Sequence, residues 1–113
     1  MLFTPTKLKD AYIVEPKKLA DERGFFARSW CEKEFRDRGL NPNLVQCNIS
    51  FNKHQGTLRG MHLQIEPYAE AKLVRCTQGA IYDVIVDLRP DSATYKQWIG
   101  VELTPDNRKA LYV

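Results

Sequence analysis

The feature that most constrains the fold is a succession of short β-type runs, each stopped by a turn-forming residue before it reaches helix length. AYIVEP (Ala11 to Pro16), LVQCNISF (Leu44 to Phe51), AKLVRCTQG (Ala71 to Gly79), AIYDVIVDLR (Ala80 to Arg89), KQWIGVEL (Lys96 to Leu103) and KALYV (Lys109 to Val113) are rich in β-branched and aromatic residues. Such residues suit a pleated, half-buried surface. In LVQCNISF the residues Val45, Cys47, Ile49 and Phe51 alternate with Gln46, Asn48 and Ser50. That is the period of a strand with one apolar face, and it puts Gln46 and Asn48 together on the polar one. Gly79 marks a tight turn, and RPDS (89–92) and TPDN (104–107) are turns led by proline. One helix is expected, over about Trp30 to Arg38. Ser29 with Glu32 three residues on reads as a capping box, and Gly39 as the stop. The fold expected is mainly β, an antiparallel sandwich or barrel in a single domain spanning residues 1–113.

KALYV ends inside an apparent strand, with no turn or cap after it. Since a barrel must close its edges, the expectation is that another chain closes it or that this is the N-terminal part of a longer protein. The net charge is +3, and the 17 Lys and Arg are interspersed with 14 Asp and Glu. That pattern argues against a nucleic-acid footprint and is compatible with a small anionic substrate. There is no apolar run of membrane-spanning length and no signal-peptide pattern, so no membrane association and a cytoplasmic location are expected. Cys31, Cys47 and Cys76 form no CxxC pair and are read as reduced, packing thiols.

GTLRGMHLQ (Gly56 to Gln64) carries the chemical question. Metal-binding barrels of the cupin type place a glycine, five residues and then His-x-His, with a glutamate following. Gly56 and His62 keep that spacing, but Gln64 stands at the second histidine, with Glu70 near the carboxylate position. Glutamine is a poor ligand and a zinc or iron site needs three or more N, O or S donors. No metal is therefore expected. Histidine is instead the usual general base for deprotonating a carbon acid, and a lysine such as Lys72 can stabilise an enolate oxygen. On a strand Arg59 and His62 fall on opposite faces, so a bulge near Gly60 is needed to bring them together. Read alone, a single strand histidine is more often structural.

DERGFF (Asp21 to Phe26), VQCNIS (Val45 to Ser50), GTLRGMHLQ, AKLVRCTQG, YDVIVDLRPDS (Tyr82 to Ser92), QWIGVELT (Gln97 to Thr104) and LYV (Leu111 to Val113) occur in the order seen in dTDP-4-dehydrorhamnose 3,5-epimerases. Over nearly its whole length the chain resembles that family. The resemblance implies a cupin-like jelly roll, incomplete at its C-terminus, working as a homodimer without metal or organic cofactor. It implies a nucleotide-linked 4-keto-6-deoxy sugar as substrate, epimerised at C3, C5 or both through an enolate. His62 resembles the catalytic base, Lys72 the lysine near the sugar ketone, and Asp83 a supporting site aspartate. Arg23 and Phe25 resemble nucleotide contacts on an N-terminal segment that reaches across the dimer. Gln46 and Asn48 match a substrate-binding polar pair, and Arg59 an arginine on the diphosphate, where a guanidinium fork suits phosphate oxygens.

The sequence departs from the family pattern at three places. RGFFARSW puts Arg28 where the family commonly has a glutamate contacting the base, and a cation cannot accept the base N–H. Cys47 stands at the centre of the family's QDN motif and is read as packing. The family continues after LYV with PEGFAHGF and later supplies a tyrosine acid and an aspartate partner for the histidine. A chain ending at Val113 is accordingly expected to be poorly active in isolation.

Overall fold

Sheet pairing in the computed structural model, which describes residues 1–113, divides the strands into two facing layers and one projecting hairpin. The strands are β1 (Leu2–Pro5), β2 (Tyr12–Glu15), β3 (Leu19–Asp21), β4 (Gly24–Phe26), β5 (Leu73–Arg75), β6 (Ile81–Val86), β7 (Trp98–Leu103) and β8 (Ala110–Tyr112), with one helix α1 (Glu32–Arg36). The larger sheet runs β1-β2-β8-β5, and β3 with β4 and β6 with β7 form two-stranded sheets. Every pairing is antiparallel.

Alternation along the strands gives the large sheet two apolar faces. Ile13, Val74 and Leu111 pack with Ile85, Ile99 and Leu103 of the β6–β7 layer. The intervening positions Val14, Leu73, Ala110 and Tyr112 turn the other way, onto Phe35 of α1 and Leu40. Phe35 is fully buried, with Phe3 edge-on at 5.2 Å and Tyr112 at 5.7 Å between ring centroids. These edge-to-face arrangements are the favoured aromatic geometry. The sheet is thus clad by a helix on one side and a β-layer on the other.

The helix is shorter than expected and differs at its start. Cys31 occupies the N-cap with no side-chain bond, so Ser29 and Glu32 do not form the capping box. Its end is as expected. Gly39 adopts φ 70, its N–H donates to the Arg36 carbonyl at 2.9 Å and Leu40 N–H donates to the Phe35 carbonyl at 3.1 Å. This double bond pattern, with Leu40 packed on Phe35, closes the helix by a left-handed glycine.

Residues 44–51 form no strand. Their apolar positions face solvent, with Val45 90% and Ile49 100% exposed. An alternating sequence supplies a face, but a strand exists only where a neighbour takes up its backbone hydrogen bonds, and none lies alongside this segment. The same holds for Gly56 to Gln64, where Gly60 at φ 100 breaks the extended course. The radius of gyration, 15.0 Å, exceeds the ~13 Å of a compact chain this long, consistent with the open course of residues 41–71. No helix is long and apolar enough to cross a membrane.

Candidate active site

Asp83 is the most deeply set of the candidate residues. It lies on β6 between Ile81 and Ile85, both of which pack into the core between the layers. Its Oδ2 is buried and has no hydrogen-bond partner. Burial pushes its pKa up from the usual carboxylate value, because the charged form is the one that suffers from lost hydration. A polar side chain held unpaired in an apolar wall is costly as structure, and that cost is typical of a functional position.

Lys72 immediately precedes β5, where its backbone exchanges both hydrogen bonds with Val113, at 2.7 and 2.9 Å. Its Nζ lies 2.8 Å from Glu70 Oε1. With its amide nitrogen turned toward Glu70, Gln64 donates to Oε1 and, at 3.1 Å, to Oε2. Gln64, Glu70 and Lys72 therefore form one polar chain beginning two residues from His62. Of the positions that match the cupin spacing, Gln64 and Glu70 are thereby in contact, and no group of three His, Cys, Asp or Glu side chains converges.

His62 is exposed and follows Gly60, at φ 100, by two residues. A Cβ on Gly60 would lie 3.4 Å from the His62 backbone nitrogen and 3.8 Å from Nδ1. Those are ordinary contact distances, so the glycine serves the positive φ and not clearance for the imidazole. The kink sits where a bulge was expected, but it does not bring Arg59 to His62. Arg59 turns to the preceding loop, its Nε donating to Asn52 Oδ1 at 2.6 Å and its Nη2 to the Phe51 carbonyl at 3.0 Å. No carboxylate is paired with His62. Gln46 and Asn48 lie on the open segment 44–51 with exposed side chains.

Arg23 and Phe25 sit on the β3–β4 hairpin, away from the polar chain. Asp21 closes the turn, accepting from the Arg23 N–H at 2.9 Å and from Nη2 at 2.6 Å. That interaction lowers the Asp21 pKa and raises that of Arg23. The two phenylalanines point to opposite sides by strand alternation. Phe25, 40% exposed, turns inward and has the Arg108 guanidinium over its ring at 4.6 Å, while Phe26 is 76% exposed. The hairpin thus leaves Phe26 open to solvent, while the Phe25 ring faces the Arg108 guanidinium. Arg28 is committed elsewhere, with Nη1 3.0 Å from Glu34 Oε1. Glu34 also accepts from the N-terminal ammonium at 2.7 Å, and these contacts, the ammonium first, hold its carboxyl below the usual value.

The sequence profile of the family described as dTDP-4-dehydrorhamnose 3,5-epimerase matches residues 5–113. The chain belongs to this family. The family enzyme of Sinorhizobium fredii is 42% identical over 113 residues, covering 100% of this chain and 58% of its own length. The crystal structure of dTDP-4-dehydrorhamnose 3,5-epimerase from Elizabethkingia anophelis superposes with a TM-score of 0.95 at 46% identity, covering 100% of this chain and 62% of that one. The Bacillus anthracis structure, with TDP and PPi bound, gives a TM-score of 0.92 at 46% identity, covering 99% and 64%. The chain therefore spans about three-fifths of the length of the family members it matches. With solved family members superposing this closely, the mainly β, cupin-like architecture with one short helix is established for this chain.

Proposed function

We propose that this chain carries the base-bearing and substrate-binding part of a nucleotide-sugar epimerase acting on a 4-keto-6-deoxy sugar at C3, C5 or both. The observation that carries the reading is the family match from residue 5 to residue 113, with His62 accessible beside the Gln64–Glu70–Lys72 chain.

The chemistry starts from the substrate's C4 ketone, which acidifies the hydrogens on both neighbouring carbons. His62 takes one as its imidazole becomes imidazolium, and the electron pair moves onto the ketone oxygen as an enolate. Lys72 stabilises that oxygen, by a charge-assisted hydrogen bond stronger in the enolate than in the ketone. Return of a proton to the opposite face inverts the centre. Asp83 supports the site and does not carry the transferred proton. Gln46 and Asn48 hold the sugar, Arg59 the diphosphate, and Arg23 with Phe25 the nucleotide. The homodimer, with the N-terminal hairpin exchanged onto the partner's site and no cofactor taking part, belongs to the same proposal, as does a cytoplasmic location. For the substrate class, the TDP and PPi in the Bacillus anthracis relative support a nucleoside diphosphate.

The test is binding of dTDP by calorimetry to the chain and to Arg23→Gln and Arg59→Gln. Affinity should fall about tenfold or more in each, the scale of one charge-assisted contact. Unchanged affinity in both variants would remove the proposed nucleotide site. A second reading, a module that binds nucleotide sugars without turning them over, is favoured by the missing carboxylate partner of His62. It predicts dTDP-sugar binding with no proton exchange at C3 or C5.

A further inference from the structure

The face of the large sheet turned away from Asp83 carries a second cleft. The β3–β4 hairpin overhangs it, and it encloses about 230 Å³ between Val14 and Ala110 at its floor and Phe25 at its side. Three cations reach it from different elements: Arg75 from β5, and Arg108 and Lys109 from the turn before β8. Arg75 shares the β5 face of Leu73, which packs toward α1, whereas Val74 packs toward the layer carrying Asp83. The cleft and Asp83 therefore lie on opposite sides of one sheet.

No carboxylate lies within ion-pair distance of Arg75, Arg108 or Lys109, whereas Arg23, Arg28, Lys33, Arg36, Lys72 and Arg89 each have one. Arg108 is also held in place, at φ 54 and with its guanidinium 4.6 Å from the centre of the Phe25 ring. On the same ring Lys18 places its Nζ at 5.2 Å. The stacking orients a planar donor fork and leaves its edges free. Three uncompensated positive charges facing one concavity repel each other, and focus an attractive field on any anion that enters. Hydroxyls of Ser29 and Thr77 add neutral donors to the wall.

We propose that this cleft binds a phosphate-type oxyanion, a phosphate or diphosphate group, on the face of the sheet opposite Asp83, sharing only Phe25 with the residues proposed to hold the substrate. Guanidinium forks pair with such oxygens two at a time, and the ammonium of Lys109 adds a third contact. The site does not depend on the epimerase reading.

Titration of inorganic pyrophosphate into the ¹⁵N-labelled chain tests it, with Arg75→Gln/Lys109→Gln and, separately, Arg59→Gln as variants. The proposal expects saturable amide shifts at Thr77, Arg108 and Lys109. Affinity read from the shifts of those three amides should drop at least about tenfold in the double variant, stay within about twofold in Arg59→Gln, and weaken as salt rises. Spectral dispersion of the double variant reports its fold. If it does not fold, Lys109→Gln alone and the salt dependence of the unmodified chain carry the test. Shifts confined to residues 46–62, equal affinity in the double variant, or no saturation by about 10 mM would overturn the proposal. Binding lost in Arg59→Gln and kept in the double variant would place the anion in the candidate active site instead, and also overturns it.

Discussion

Asp87 is predicted to be the chain's most sensitive single carboxylate, and Asp87→Asn tests the reasoning. Its side chain is 3% exposed and accepts five hydrogen bonds. Oδ1 receives the Arg89 N–H at 3.1 Å and Nε at 2.9 Å, and Oδ2 receives Arg89 Nη2 at 2.9 Å, Ser92 Oγ at 2.5 Å and Thr94 Oγ1 at 2.6 Å. Arg89 continues to Asp10 at 3.0 Å and the Lys9 carbonyl at 2.8 Å, tying the turn after β6 to the turn between β1 and β2. An amide keeps the shape but turns one acceptor into a donor, so the three bonds to one oxygen are lost along with the charge. A naive sum at about 1–2 kcal/mol per bond gives about 3–6 kcal/mol. The two hydroxyls can redirect toward each other, being 3.1 Å apart, and Arg89 is half-exposed and keeps Asp10. The net loss should therefore be about 2–3 kcal/mol, or roughly 8–15 °C in Tm.

The pH dependence follows from the same contacts. Arg89 foremost, then Ser92 and Thr94, holds the Asp87 carboxyl far below its usual range. A depressed folded pKa gives stability that is complete above the unfolded value near 3.9 and is lost as pH falls toward the folded one. The difference between wild type and Asp87→Asn, measured by urea denaturation, should be constant from pH 7 to about 5 and shrink below about 4. A gap under about 0.5 kcal/mol at pH 7, or one that widens on acidification, would refute the reasoning.

Three further outcomes are expected. Asp83→Asn should stabilise the fold at neutral pH, by urea denaturation, since the raised Asp83 pKa means stability falls as pH climbs above the unfolded value; the gain should vanish near pH 3, and equal stability at both pH values would contradict it. Gly60→Ala should cost about 1 kcal/mol or more through its positive φ, read by urea denaturation; unchanged stability would count against the strained backbone at this position. Glu70→Gln should release Lys72 from its ion pair and strengthen binding of a 4-keto sugar nucleotide several-fold, by calorimetry; weaker binding would mean Glu70 is itself a substrate contact.

Much of the layer structure was legible because β2, β6, β7 and β8 are runs of β-branched and aromatic residues bounded by turn formers. β1 was not, since LFTP is four residues ending in proline, too short to show a period. The β3–β4 hairpin has three residues per strand and no periodicity to read. Residues 44–51 show the opposite failure, a clear alternation with no partner strand. The candidate residues themselves were found through motif resemblance and not through pattern. Unpaired Asp83 could be suspected from the charge interrupting an apolar run, whereas the Gln64–Glu70–Lys72 chain depends on the loop between them folding back, which no local spacing encodes.

The most direct test of the central claim is deuterium incorporation into dTDP-4-keto-6-deoxyglucose in heavy water, followed by NMR with the chain and with His62→Ala. The account predicts exchange at C3 or C5 above the solvent rate, abolished in His62→Ala while binding persists. Exchange that continues in the variant would show that His62 is not the base, and binding without any exchange would make this a recognition module.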